Sequence, residues 1–212
     1  AGTVSEIGSD GKNINVGDRV MAVTGHGAFA EEVCVPYNKI TIIPPEMDFI
    51  TAASMSLTYG TSAYALFQRA NIKENDTVLI HGATGGVGIT AIEISKAMGA
   101  KVIATASTEE KLDIAREYGA DYCINYSKNE FRDKVKEITN GKGANIIYDP
   151  VGGDVFNQSL RCIAWDGRIL VIGFASGTIA SAPTNLPLLK NCSIVGVFWG
   201  AWRDRDPSGH DI

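Results

Sequence analysis

Three glycines, Gly82, Gly85 and Gly88, recur every third residue in His81-Gly82-Ala83-Thr84-Gly85-Gly86-Val87-Gly88, directly behind the apolar run Val78-Leu79-Ile80. An apolar-periodic segment, residues 89–98, follows at once. The pattern reads as strand, tight turn, helix, and the glycines leave a backbone surface that a pyrophosphate can approach. The helix behind the turn directs its free N–H groups and its positive dipole end at that phosphate. The string is G-x-x-G-x-x-G rather than G-x-G-x-x-G, so its strand–turn–helix setting carries the reading.

The end of the next strand decides which dinucleotide fits. NAD-preferring domains place an acidic residue there, about 20 residues after the glycine turn, to accept hydrogen bonds from the adenosine ribose. Here the strand ends Thr105-Ala106-Ser107 with no carboxylate. Glu109 and Glu110 follow, but Ser107-Thr108-Glu109-Glu110 fits a capping box, with Ser107 as the N-cap and Glu110 as its partner. A small hydroxyl-bearing strand end leaves room for a 2′-phosphate, and Lys111, one turn into the helix, is placed to supply charge. NADP(H) is therefore expected over NAD(H), and the missing acid also argues against S-adenosylmethionine.

Other polar residues carry weaker signals. Asp149 ends the fourth strand of the series and has two readings, a ligand contact or an acceptor for nearby backbone amides. Tyr126 follows the third strand, either against an adenine or as an ordinary aromatic. His81 is expected to pack and hydrogen-bond locally. Cys34, Cys123, Cys162 and Cys192 are scattered without a C-x-x-C pair, which predicts free thiols in a reducing compartment and no metal site. No G-x-S-x-G, H-E-x-x-H or Walker lysine is present, and no catalytic side chain is assigned. Hydride transfer requires none, because the cofactor carries the chemistry.

These residues need a scaffold, and the chain shows two textures. Residues 3–7, 19–23, 29–35 and 40–43 are short strand-like runs between turn residues, the texture of a small antiparallel sheet or barrel. Pro44-Pro45 punctuates the chain. A helical stretch over 51–70 follows, then strands at 77–81, 101–106, 121–125, 144–148, 168–172 and 193–198. Helices from 87 and over 108–118, 130–138 and 154–164 separate them. Short all-apolar strands alternating with amphipathic helices predict a doubly wound α/β fold, a parallel sheet covered on both faces. With 212 residues and 45% apolar content the chain can fill such a core, and its net charge of −5 argues against nucleic acid or an anionic membrane as partner. No apolar stretch has transmembrane length, and residues 1–5 lack the features of a secretory signal.

The ordered motifs resemble a known family. Gly2-Thr3-Val4, Gly17-Asp18-Arg19-Val20 and Gly27-Ala28-Phe29-Ala30-Glu31-Glu32 resemble the medium-chain dehydrogenase/reductase superfamily. Leu57-Thr58-Tyr59-Gly60-Thr61-Ser62-Ala63-Tyr64, the glycine turn, Asp149-Pro150-Val151-Gly152-Gly153-Asp154-Val155-Phe156 and Gly173-Phe174-Ala175-Ser176-Gly177 narrow the likeness to its zinc-free quinone oxidoreductase branch. Zinc-dependent relatives carry a cysteine where this chain has Leu57.

The resemblance implies an NADPH-dependent, zinc-free reductase of quinones or α,β-unsaturated carbonyls. It implies a Rossmann domain over 48–200 and a remnant of a barrel-like substrate domain over 1–47, while the polar residues 201–212 themselves read as a frayed tail. It assigns Thr58 to the nicotinamide end, Thr84, Gly85, Gly86 and Val87 to the pyrophosphate, and Ser107, Lys111 and Tyr126 to the adenosine phosphate. Gly152, Gly173, Phe174, Val197, Phe198 and Trp199 would line the nicotinamide, although Phe198 and Trp199 also read as strand-end packing. Family members extend further at both ends, so a truncated member is expected, intracellular in the cytoplasm or a mitochondrion, with a homodimer through the last strand. The competing expectation is a dinucleotide-binding protein without catalysis.

Overall fold

The computed structural model describes residues 1–9, 13–128 and 130–205. The chain forms two units, Ala1–Gly60 and Thr61–Ile212. In the first, β1 (Gly2–Thr3), β2 (Arg19–Ala22) and β3 (Ile40–Ile42) make an antiparallel sheet in the order β1-β2-β3. The Arg19 guanidinium donates to the carbonyls of Pro44, Pro45 and Met47 and lies over the Phe49 ring at 4.7 Å. The run 29–35, expected as a strand, is not one, and Phe29 is fully exposed. A strand lasts only where a neighbour takes up its backbone groups, and among the described residues this run has no ladder to join.

Helix α1 (Phe49–Ala63) starts at Asp48, whose carboxylate accepts from the Thr51 N–H and hydroxyl at 2.8 Å each. Those bonds hold the Asp48 carboxyl below its usual range. The helical stretch expected over 51–70 is α1 followed by a π-helical run, Tyr64–Arg69, in which the Ala70 N–H donates to the Ala65 carbonyl five residues back.

The second unit alternates β4 (Thr77–Ile80), α2 (Gly86–Ala97), β5 (Lys101–Ala106), α3 (Glu109–Glu117), β6 (Tyr122–Asn125) and α4 (Phe131–Ile138). It continues through β7 (Ala144–Asp149), α5 (Gly153–Cys162), β8 (Ile163–Val171), α6 (Asn185–Lys190), β9 (Ser193–Gly196) and α7 (Trp199–Arg205). Its six strands are parallel in the order β6-β5-β4-β7-β8-β9. Alternate residues of each strand feed two cores. Val78, Ile80, Val102, Ala104, Ile146 and Tyr148 pack on one face with Ala91 and Ile92 of α2. Leu79, Ile103, Ile147 and Ile169 pack on the other with Phe131 and Leu160. Burial on both faces is why these strands read as continuous apolar runs.

Three local readings change. The N-cap of α3 is Thr108, not Ser107: its hydroxyl accepts from the Lys111 N–H at 3.3 Å, which puts a lysine at the third helical position and leaves no capping box. β8 begins at Ile163, ahead of residue 168, because a bulge opposite Ala144–Ile146 absorbs Asp166, at φ 60°. Residues 201–205, expected in a frayed tail, are helical, and Trp202 stacks on Tyr64 with ring centres 4.6 Å apart. The rest of that tail, 206–212, lies outside the described residues. Among the described residues no helix is long and apolar enough to cross a membrane.

Candidate functional site

The strand order reverses between β4 and β7: α2 joins the core on one face of the sheet and α5 the core on the other. A doubly wound sheet opens a crevice at the carboxyl ends of two such strands. The glycine turn forms one wall. Gly82 takes φ 55°, a left-handed conformation that glycine adopts without strain, and the Gly85 N–H donates back to its carbonyl at 2.9 Å. A Cβ on Gly88 would fall on the Gly82 carbonyl oxygen and within 2.8 Å of Ala83 Cα, so the helix can lie this close to the turn only with glycine there. Gly85 is the N-cap of α2, in extended conformation, with no side chain capping the helix and no acidic residue in its first turn. The first-turn N–H groups of a helix have no intrahelical acceptor. Thr84 and Val87 are half-buried beside the exposed Gly85 and Gly86, so all four lie on this wall.

Two buried polar networks fix the wall from behind. Ser62 Oγ donates to the Val87 carbonyl at 3.0 Å, and it lies 2.8 Å from Thr90 Oγ1 and 2.9 Å from Tyr148 Oη. Ser62, Thr90 and Tyr148 escape the sequence reading. Thr90 and Tyr148 sit in apolar runs where a buried hydroxyl must find a partner, whereas Ser62 follows Thr58-Tyr59-Gly60-Thr61 and carries no such signal. His81, buried as expected, lies between Thr105 Oγ1 at Nδ1 and Ser159 Oγ at Nε2, both 2.9 Å away, with its ring edge on Phe131. Ser159 gives its own proton to the Val155 carbonyl at 2.8 Å, so Nε2–H donates to Ser159 and Thr105 donates to Nδ1. Desolvation lowers the imidazole pKa to about 4 against a smaller opposing pull from Asp149, and the ring is neutral at neutral pH.

At β7 the two readings of Asp149 resolve. Its buried Oδ1 accepts from the N–H groups of Val151 and Gly152 at 2.8 and 2.9 Å, so it shapes the loop. Gly152 has φ 70°, and a Cβ there would meet Phe174 Cδ1 at 2.9 Å. The loop after β8 folds onto this one through the Ala175 N–H to the Pro150 carbonyl. Gly152, Gly173 and Phe174 are thereby brought together. Gly173, Phe174, Val197 and Phe198 share one groove of about 690 Å³ with Tyr64, Arg69, Trp202 and Arg205. Phe198 is 75% exposed, whereas Trp199 opens α7 under the Arg203 guanidinium at 5.2 Å.

The opposite end of the crevice is built from surface side chains. The Tyr126 N–H donates to the Ala106 carbonyl and Ser127 Oγ to the Ser107 carbonyl, which brings Ser107 and the exposed Tyr126 side by side. Lys111 stands exposed on the first turn of α3. Glu109 is engaged elsewhere: Asn125 Nδ2 donates to it at 2.9 Å, with Lys128 and Arg116 beside it, and these hold its carboxyl below the usual range. Thr58 belongs to the first unit, where its hydroxyl donates to the Ser54 carbonyl. Cys162 is buried and its thiol is pushed up to about 12, while burial also raises Cys123 and Cys192; all four cysteines are free thiols. Among the described residues no three His, Cys, Asp or Glu side chains gather to hold a metal ion.

Comparison with known proteins agrees with this architecture. Residues 86–208 match a family model described as zinc-binding dehydrogenase. The chain is 45% identical over 209 residues to a quinone oxidoreductase-like protein 2 homolog of Nematostella vectensis, covering 98% of this chain and 57% of that protein. It is 38% identical over 180 residues to a 2-haloacrylate reductase of a Burkholderia species, covering 84% and 54%. It superposes on the Escherichia coli quinone oxidoreductase complexed with NADPH at a TM-score of 0.86 and 33% identity, over 95% of this chain and 62% of that one. The chain thus spans less than two thirds of these relatives. By family model, strand order and glycine turn together, it belongs to the medium-chain dehydrogenase/reductase superfamily, in the quinone oxidoreductase branch.

Proposed function

We propose that the crevice holds NADPH and that the protein is a zinc-independent reductase of quinones or α,β-unsaturated carbonyls. The observation that carries this reading is the uncapped N-terminus of α2, set behind a turn in which a Cβ on Gly88 finds no room, facing a β5 end that has no acid. The residues fit the cofactor: the amides after Gly85 face a pyrophosphate, and Ser107, Tyr126 and Lys111 surround the extra phosphate. Gly152, Gly173, Phe174, Val197 and Phe198 line the nicotinamide, and Thr58 and Trp199 join them on resemblance alone. Bound there, the cofactor supplies a hydride, and solvent supplies the proton that completes a hydroquinone. The chain's own residues orient and exclude water, which is the usual division of labour in such enzymes. Among the described residues no donor set for zinc gathers, and Leu57 stands where the resemblance expects a cysteine, which supports the zinc-independent reading. A relative that reduces 2-haloacrylate and another complexed with NADPH support both halves of the reading. The edge of β9, last in the sheet among the described residues, offers a surface for pairing with a second copy.

The deciding measurement compares dissociation constants for NADPH and NADH. NADPH is expected to bind more tightly, and Ala106→Asp to reverse the order, because the new carboxylate repels the 2′-phosphate and accepts from a ribose. An unchanged preference would remove the adenosine end from this place. Oxidation of NADPH against a quinone and alkenal panel then separates an enzyme from a protein that only binds the dinucleotide.

A further inference from the structure

The groove at the ends of β8 and β9 has a charge pattern that the cofactor does not use. Its charged lining residues are Arg69 and Arg205, with no acid, in a chain of net charge −5. Among the described residues neither guanidinium meets a carboxylate. Tyr64, stacked on Trp202 with planes 21° apart, and the exposed Phe174 and Phe198 give it aromatic walls. The π-helical run makes the combination possible. In an α-helix positions five apart point about 140° away from each other. The π winding closes its bonds five residues on and brings Tyr64 and Arg69 into one groove. Arg69 Nε donates to the Gly196 carbonyl at 3.1 Å, which sets the guanidinium at the end of β9, and among the described residues its other N–H donors meet no acceptor. A groove of about 690 Å³ is of small-molecule size.

We propose that this groove seats the hydride acceptor and selects a planar molecule that carries a carboxylate or sulfonate, its ring on the aromatic walls and its acid on Arg69 and Arg205. The acceptor role rests on the cofactor reading above, since Gly173, Phe174, Val197 and Phe198 border both sites. Calorimetric titration of the whole chain with anthraquinone-2-sulfonate and its uncharged 2-hydroxymethyl analogue, with and without NADP⁺, tests it. The sulfonate should bind about tenfold more tightly than the neutral analogue, as charge-assisted bonds to partly exposed guanidiniums allow. Arg69→Gln and Arg205→Gln should each remove about three- to fivefold of that preference while leaving the neutral analogue and NADPH unchanged. Among the described residues Arg205 makes no bond that holds the fold, so its variant reads binding even where Arg69→Gln loosens β9. Equal affinity for the two ligands, or a loss that falls on NADPH instead of the sulfonate, overturns the proposal. Arginine-dependent sulfonate binding without NADPH binding would support the groove as an anion site and sink the cofactor reading; NADPH binding without sulfonate selectivity would do the reverse.

Discussion

The two ends of the crevice are made of different material. At the end proposed for the pyrophosphate the groups on offer are backbone amides on a turn locked by Gly88 from the side and by the buried Ser62–Tyr148 and His81 networks from behind. At the end proposed for the adenosine phosphate they would be side chains, Ser107, Lys111 and Tyr126, half-buried or exposed and bounded by a surface ion cluster around Glu109. Packing dictates the first, so changes there strike stability and binding together. Solvent bathes the second, so changes there should alter cofactor choice and leave the fold alone.

The sharpest way to break this contrast is Gly88→Ala. The added Cβ meets carbonyl oxygen and backbone carbon rather than a flexible side chain, and neither can move without opening the turn. The expected cost is about 3 kcal/mol, at the upper end for overpacking, with NADPH affinity lost as well. Gly85→Ala sharpens the point: its Cβ would sit 3.3 Å from the Gly82 carbonyl at an ordinary φ of −73°, so the fold should tolerate it while the phosphate is pushed off. Chemical denaturation of both variants, paired with NADPH titration, reads the two effects. Equal stability loss in both would mean that the turn is not held as its geometry implies.

The His81 network gives the next largest effect and a defined sign. Its folded pKa of about 4 lies below the ordinary 6.5, so the folded state binds fewer protons than the unfolded one between these values. Stability from this group is complete above pH 6.5 and falls as pH drops towards 4, by about 3 kcal/mol in total. His81→Gln keeps a donor and an acceptor for Ser159 and Thr105 but cannot titrate. Denaturation midpoints between pH 6.5 and 5 should therefore fall more steeply in the parent chain than in the variant. Parallel slopes would show that the imidazole is not buried neutral.

What was legible in the sequence follows the same division. Glycine positions, strand alternation and the acid-free end of β5 are consequences of backbone geometry and burial that leave marks in residue type, and the six parallel strands were found from them. Side-chain partnerships across distant elements leave no such mark. Ser62 and Tyr148 are 86 positions apart, and nothing local in either run announces the other. The π-helical run was hidden for a related reason: Tyr64–Arg69 has an ordinary helical composition, and only the packing of Tyr64 on Trp202 and Arg69 on Gly196 shows where its extra residue leads. The strand expected at 29–35 failed the other way, since local propensity without a pairing partner makes no ladder.

Lys111→Ala should produce the smallest effect and the cleanest separation. The residue is exposed and its backbone N–H, not its side chain, meets the Thr108 cap, so removing the ammonium leaves α3 intact. Its interaction with a 2′-phosphate takes place in solvent, where such pairs are weak, and about a fivefold rise in the NADPH dissociation constant is expected. NADH, which lacks that phosphate, should bind the variant as before, and raising salt should shrink the difference between parent and variant because an exposed pair is screened. A loss that strikes both dinucleotides alike would mean that Lys111 serves the helix rather than the phosphate. The two ends of the crevice would then be built the same way after all.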